Sequence, residues 1–442
     1  MTPAERKQAI RDIFEAGIRA VEPSGSVREF MPRVLDAYRV KGLTEIILIS
    51  FGKAAVPMAR AVIEDLPRDI PVKGIVLTKY GHVKGGPFPR SIRVFEAGHP
   101  VPDEAGESAA RQIVRLVDEA HDRSLVLSLI SGGGSALLAL PAEGISLAEK
   151  QAVTGFLLRA GATIDELNTV RKHISGVKGG QLAKAAYPAR VISLILSDVI
   201  GDRLDVIASG PTAPDTTRYA DAIAVLTKYS LLDKVPAGVL KHLEAGAVGK
   251  IAETPKEGDP VFTNIENIII ANNQKATAAA QQKAFEYGFV PVAPANNIAG
   301  EARVIAERFA RAAISTKNRL QVPGRRGMCF IYGGETTVTV KGDGTGGRNT
   351  EMALAVAREI AGIDGITFLA GGTDGTDGPT DAAGAIVDGD TIREARGKAF
   401  DPEEHLSRND SYTFFKKAGG LLITGPTGTN VMDLYIAVVE AT

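Results

Sequence analysis

A single cysteine, Cys329, occurs in the 442 residues. An intrachain disulfide is therefore excluded, and so is a zinc site built on several thiolates. The six histidines are scattered and form no H-E-x-x-H pair of metal ligands. An excess of charge of either sign is missing: 51 Lys+Arg stand against 52 Asp+Glu, a formal net charge of −1. Such balance gives no electrostatic reason for a nucleic-acid backbone or an anionic membrane to be the principal partner. No apolar run approaches the ~18 residues of a membrane-spanning helix. The N-terminus, MTPAERKQAIRDIFEAG, lacks an apolar signal core, and Glu5, Asp12 and Glu15 argue against a transit peptide. The expected compartment is the cytoplasm. A content of 44 % hydrophobic and 23 % charged residues is that of a folded globular chain. The length suits two domains at ~100–200 residues each.

Glycine is abundant, with 48 residues, and it is clustered. Glycine serves where backbone turns sharply or approaches a ligand closely. The opening segment places Ile10, Ile13, Phe14, Gly17 and Val21 at helical spacing. Apolar strand-type runs follow at 45–51, 74–80, 124–130 and 190–199, alternating with helical patterns such as 106–121, 146–160 and 165–175. This alternation indicates βαβ units in a mostly parallel sheet with helices on both faces. Residues 233–266 carry Pro236, Pro255 and Pro260 and no strong strand. The expected division is an N-terminal Rossmann-like domain over 1–240, a linker over 241–265, and a C-terminal mixed α/β domain over 266–442. In the latter, strands are expected at 267–273, 289–293, 366–372, 384–388 and 434–440, a strand pair at 328–334 and 336–342, and helices at 274–287, 299–316 and 350–361.

In parallel α/β sheets, ligands bind beyond the carboxyl ends of strands, and the clusters here fall at expected strand ends. Gly52-Lys53 puts a cation at a helix start, where unpaired amides already favour an anion. Ser131-Gly132-Gly133-Gly134-Ser135 removes three successive Cβ atoms, so backbone amides can converge on a phosphate or carboxylate. It is not a Walker A loop, and the chain contains none. Asp198 and Asp202 follow the strand at 190–199, where a carboxylate suits Mg²⁺ or a proton from a hydroxyl. Gly371 to Asp381 brings Asp374, Asp377 and Asp381 together, but without the flanking features of a calcium-binding loop. Gly333-Gly334-Glu335 ends another strand. The stretch 168–178 carries Arg171, Lys172, His173 and Lys178, a cationic set suited to a small acid. Gly342, Gly344 and Gly347 satisfy the G-x-G-x-x-G of dinucleotide-binding loops. Arg348-Asn349 follows at once, and the next acidic residue at an expected strand end, Asp374, comes later than the usual ~20-residue offset.

FGKAA (51–55), SGGGSALL (131–138), NTVRKHISGVKGGQLA (168–183), SDVIGDRLDVIASGPTAPD (197–215), YGGETTV (332–338), GGRNTE (346–351) and GGTDGTDGPTDAAGA (371–385) occur in this order. Together they resemble the class II glycerate 2-kinases, the MOFRL-type family, over nearly the whole chain. The resemblance implies transfer of the γ-phosphoryl group of ATP to the 2-hydroxyl of D-glycerate, with Mg²⁺ accompanying ATP. It implies two α/β domains with a cleft between them. It places the family's functional lysine on Lys53 and its functional arginine on Arg348. Arg171, Lys172 and Lys178 are then candidates for the substrate carboxylate. Ser131 to Ser135, Gly334, Glu335 and Asn349 are candidates for nucleotide, phosphate or substrate binding, and Asp198, Asp202 and Asp374 for metal ligand or base. A homodimer is compatible with this reading. Some relatives carry the name hydroxypyruvate reductase, so NAD(P)H-dependent reduction is the alternative. A non-catalytic sugar-acid sensor is a third reading, disfavoured because it leaves Lys53, Arg348, Asp198 and Asp374 unexplained.

Overall fold

Runs of Ile, Leu and Val bounded by glycine set the strands of two separate sheets in the computed structural model, which describes residues 1–319, 322–398 and 400–441. The chain forms two compact units. The first comprises residues 23–197 and 202–270, the second residues 1–22, 198–201 and 271–442.

The first unit holds β1 (Glu45–Phe51), β2 (Val72–Lys79), β3 (Ile92–Ala97), β4 (Ser124–Ile130), β5 (Arg190–Leu196) and β6 (Ile265–Ala271), in the order β3-β2-β1-β4-β5-β6. The pairs β3–β2, β2–β1, β1–β4 and β4–β5 are parallel. β4 is buried at every residue and β1 at all but Glu45. That accounts for their unbroken apolar sequences, since a parallel sheet is covered on both faces. β3, with only Ile92 and Ala97 buried, has too little apolar pattern to be expected from sequence. The order runs outward one way from β1 and the other way from β4, so the crevice beyond their carboxyl ends is the topological switch point. A helical cluster lies in the same unit. Helices Leu147–Arg159, Ile164–His173, Tyr219–Lys228 and Ala237–Ala247 share a core of Val153, Leu157, Val170, Leu226 and Leu243.

The second unit holds β7 (Phe289–Pro291), β8 (Ala295–Glu301), β9 (Gly327–Thr337), β10 (Ile366–Gly372), β11 (Gly384–Asp388), β12 (Leu421–Leu422) and β13 (Asp433–Glu440). The sheet order is β12-β11-β10-β13-β9-β7, with β8 also on β9. β13 is antiparallel to both neighbours, whereas β7 and β8 run parallel to β9. Side chains alternate along a strand, and both sides are used. Phe368, Ala370, Tyr435 and Ala437 join the core with helices Ala302–Lys317 and Arg348–Glu359. On the other face Gly371 lies against Phe14 and Leu434 against Gly17, both from helix Pro3–Ala20.

Three expectations change. The boundary falls at residue 270, and 241–265 is no linker. It contains the end of helix Ala237–Ala247 with Leu243 buried, a turn at Pro260–Phe262 and the start of β6. The opening helix groups with the C-terminal part of the chain, as does the loop 198–201. The strand pair expected at 328–334 and 336–342 is one strand, β9, whose far half pairs with β8. Thr337 to Val340 alternates like a strand, yet Val340 is exposed and finds no partner strand among the described residues.

Candidate active site

At the switch point the ends of β1 and β4 are stitched together. Gly52 has φ +122°, and a Cβ on it would lie 2.2 Å from Oγ of Ser131. Only glycine permits this approach. Ser131 Oγ accepts the Ala54 amide at 3.1 Å, and the Lys53 amide donates to the Gly132 carbonyl at 2.9 Å. Lys53 thus stands between the glycine-rich loop and helix Ala55–Asp65, whose start has no side-chain cap. Gly133, at φ +82°, is covered by the His99 ring and by Cγ of Lys53.

The other end of the loop is held from three segments. Ser135 and Ser209 share a hydrogen bond between hydroxyls at 2.7 Å, and Ser209 Oγ donates to Asn168 Oδ1 at 3.0 Å. Ala208 and Ser209 are both left-handed, at φ 51° and 62°, a strained pair held by the surrounding contacts. Lys178 Nζ donates to the Ser135 carbonyl at 2.8 Å. Lys178 is buried, and desolvation, with Lys150 and Arg171 nearby, pushes its ammonium well down. Lys150 is also buried, donating to the carbonyls of Leu140 and Ile174 at 3.3 and 3.2 Å. Burial, with Arg171 beside it, lowers its pKa to about 7. Arg171 is itself lowered by desolvation. Lys150, Lys178 and Arg171 are all pushed down by burial, and the two lysines also by their neighbouring cations, so an anion placed among them would favour their charged forms.

Lys172 belongs elsewhere, paired with Asp215 Oδ1 at 3.3 Å and Asp205 Oδ2 at 3.6 Å. Asp215 also accepts from Thr217 and Thr254, and despite its burial the Lys172 charge and the Thr217 bonds hold it below the usual carboxylate range. Lys172 is therefore engaged in an internal ion pair, unlike Arg171 and Lys178. Asp202 lies in the first unit with φ 52°, and Asp198 in the segment grouped with the second.

In the second unit, Arg348 opens helix Arg348–Glu359 and its fork is held by carboxylates. Nε donates to Asp433 Oδ2 at 2.6 Å, Nη2 to Asp433 Oδ1 at 3.0 Å, and Nη1 to Glu335. Burial opposes its charge, but Asp433 and Glu335 more than offset this and raise its pKa. Tyr435 donates to Asp433 at 3.1 Å, completing the clamp. The amides of Asn349 and Thr350 donate to Asp377 at 2.9 and 2.8 Å, so the helix start is occupied by a carboxylate of the protein. Desolvation leaves Asp377 raised all the same. The side-chain amide of Asn349 is buried with neither polar atom hydrogen-bonded. Asp374 folds back on Thr376, accepting from its amide and hydroxyl at 3.0 Å each. Gly334 is fixed in β9, where a Cβ would strike the Ile298 backbone.

The glycines 342–347 pack against protein. A Cβ on Gly342 would meet Arg408, on Gly344 Asp410, on Gly346 Ser411 and on Gly347 Asp377, all within 2.5 Å. With Asp377 on the helix amides, the motif lacks the open helix start that a pyrophosphate takes. Among the described residues no group of three or more His, Cys, Asp or Glu is arranged to hold a metal ion, and no helix is long and apolar enough to cross a membrane. Sequence reasoning missed Asp433, His99 and Lys150, and it saw Asp377 only as one of three aspartates in 371–381. Of these, Asp433 left a clear signal, a charge at the head of the apolar run LYIAVV.

A six-stranded sheet with its switch point lined by glycines and lysines, followed by a mixed α/β unit, defines a two-unit α/β protein. The matches to known proteins fit that class. Residues 9–244 match the family described as a domain of unknown function, DUF4147, and residues 328–433 match the MOFRL family. The D-glycerate 2-kinase of Thermotoga maritima is 45 % identical over 439 residues, covering 99 % of both chains. The glycerate 2-kinase of Pyrococcus horikoshii is 42 % identical over 97 % of this chain and 98 % of its own. A putative hydroxypyruvate reductase of Agrobacterium vitis is 41 % identical over 97 % and 93 %. The crystal structure of the Thermotoga maritima glycerate kinase superposes with a TM-score of 0.89 at 44 % identity, covering 99 % of this chain and all of that one. The chain belongs to the glycerate 2-kinase family.

Proposed function

We propose that this protein is a D-glycerate 2-kinase, transferring the γ-phosphoryl group of ATP to the 2-hydroxyl of D-glycerate to give 2-phosphoglycerate and ADP. The observation that carries the reading is the 45 % identity to a D-glycerate 2-kinase along 99 % of both chains. The chemistry of the strand ends supports it. Phosphoryl transfer needs positioning and charge neutralisation rather than covalent catalysis. Lys53 and the loop 131–135 suit a phosphate, and Arg171 and Lys178 suit the carboxylate of a small acid. Arg348, oriented by Asp433, is assigned to the transferring phosphoryl group. Lys172 is assigned to holding Asp215 and Asp205.

Mg²⁺ is usually bound through one or two carboxylates plus substrate phosphates. A chain without a three-ligand cluster among its described residues fits that mode. Asp374 or Asp198 is the carboxylate proposed to meet it, and the ion would supply neutralisation of phosphate charge. The assay is incubation with D-glycerate, ATP and Mg²⁺ and identification of the product by NMR, beside a sample of hydroxypyruvate with NADPH. Phosphorylated glycerate in the first and unchanged NADPH in the second are expected. NADPH oxidation with no phosphorylated product would replace the kinase reading with the reductase one.

A further inference from the structure

We infer that His99 is the catalytic base of the phosphoryl transfer, receiving the proton of the acceptor hydroxyl. The inference rests on the proposed kinase reaction and goes beyond it by naming the proton acceptor. His99 follows β3 and lays its ring on Gly133, with Nε2 and Cδ2 each 3.0 Å from where a Cβ of that glycine would stand. Cγ of Lys53 lies 3.3 Å from the same point. The imidazole and the lysine therefore share one face of the glycine-rich loop, and a hydroxyl brought to a phosphoryl group on Lys53 comes within reach of the ring. Its half-exposed side chain makes no hydrogen bond or ion pair with any described residue.

The charged groups around it keep it unprotonated. Burial, then Lys53, Lys79 at the end of β2, and His82 lower its pKa to about 4. His82 is tied by Nδ1 to the Lys53 carbonyl at 3.3 Å. The nearby carboxylate, Asp103, is taken up by the Tyr80 hydroxyl at 2.8 Å and the Gly106 amide at 2.9 Å. An anion bound at Lys53 and Lys79 neutralises the charges that repel the proton, so the imidazole becomes a better base once substrates are in place. In the step itself the 2-hydroxyl oxygen forms the new bond to γ-phosphorus. The bond from phosphorus to the β,γ-bridging oxygen breaks, its electron pair leaving on ADP. The hydroxyl proton passes to His99, which later releases it to water.

His99→Gln and His99→Ala in the full chain test this. Circular dichroism and melting should match the parent. With ATP, Mg²⁺ and D-glycerate, kcat is expected to fall ~10²-fold or more while both KM values stay within about threefold. The parent loses rate as pH falls through the pKa of the bound-state imidazole, and this acid limb should vanish in His99→Gln. A His99→Gln enzyme within fivefold of the parent kcat, or one keeping the acid limb, overturns the assignment of His99 alone. A parent protein that does not phosphorylate D-glycerate overturns the kinase reading and this step with it. A second readout needs no turnover. In ¹³C-histidine-labelled protein the resonance missing from His99→Gln should titrate at least one pH unit higher with saturating inorganic phosphate than without. An unchanged titration contradicts the inference.

Discussion

Arg348 shows how one residue acquires both strength and direction. Asp433 grips Nε and Nη2, and Glu335 takes Nη1, so the guanidinium plane is set before any ligand arrives. A lysine presents a point charge and cannot reproduce that fork. Arg348→Lys is therefore expected to lose nearly as much kcat as Arg348→Ala, on the order of 10²–10³-fold, with melting little changed. A lysine variant with more than a tenth of parent activity would show that charge alone suffices. Asp433→Asn keeps an acceptor but removes the counter-charge, and should lower kcat more than it raises KM for ATP. Lys53→Ala is expected to lose ~10²–10³-fold in rate, and steady-state kinetics at saturating substrates decide it. Lys53 and Arg348 were singled out because their motifs resemble a family's. Asp433 and His99 were not, since their partners lie 85 residues away in Arg348 and on a glycine, which advertises nothing.

At the scale of elements, two buried charges make opposite predictions. Asp377 satisfies the first amides of helix Arg348–Glu359 and the Thr350 hydroxyl. Asp377→Ala strands these donors in a buried place and should cost about 2–3 kcal/mol, read as a lower urea midpoint. Asp377→Asn, which keeps an acceptor oxygen, should cost less. An alanine variant as stable as the parent would mean that water replaces the cap. Lys150 is held by two carbonyls that have other donors: Ser175 and Gly176 on Leu140, Ala142 on Ile174. Its folded pKa of about 7 lies below the ~10.4 of an exposed lysine. The unfolded chain therefore binds more protons across that interval, and stability gains as pH rises from about 7 to 10. Lys150→Met should melt ~2–4 °C above the parent at pH 6, with the gap closing toward pH 9.5. A gap independent of pH would contradict the shift. Neither role was legible: TDGTDGPTD offers three equivalent aspartates, and Lys150 reads as a surface residue of an amphipathic helix.

For the whole molecule, what could be read from sequence was what local pattern controls. β1 and β4 are continuous apolar runs because both faces are covered, and their bounds match the expected ones. β8, with the polar sequence ANNIAGE, exists because β9 offers it an edge, and so its first four residues were expected in no element and its last three at the start of a helix. The opening helix was expected with the N-terminal unit and joins the other, because which unit a helix joins is decided by its long-range contacts. Phe14 against Gly371 and Gly17 against Leu434 are invisible in the sequence. The glycines 342–347 matched a dinucleotide motif for a local reason, close packing on 408–411, and NADPH should show no heat of binding in calorimetry where ATP does. The central claim is the reaction and its regiochemistry. The most direct measurement couples the protein, D-glycerate, ATP and Mg²⁺ to enolase and pyruvate kinase with no phosphoglycerate mutase. Pyruvate forming at the rate of ADP release is the predicted result, because 2-phosphoglycerate enters enolase directly. ADP release that yields pyruvate only after the mutase is added would make the 3-hydroxyl the acceptor and contradict the claim.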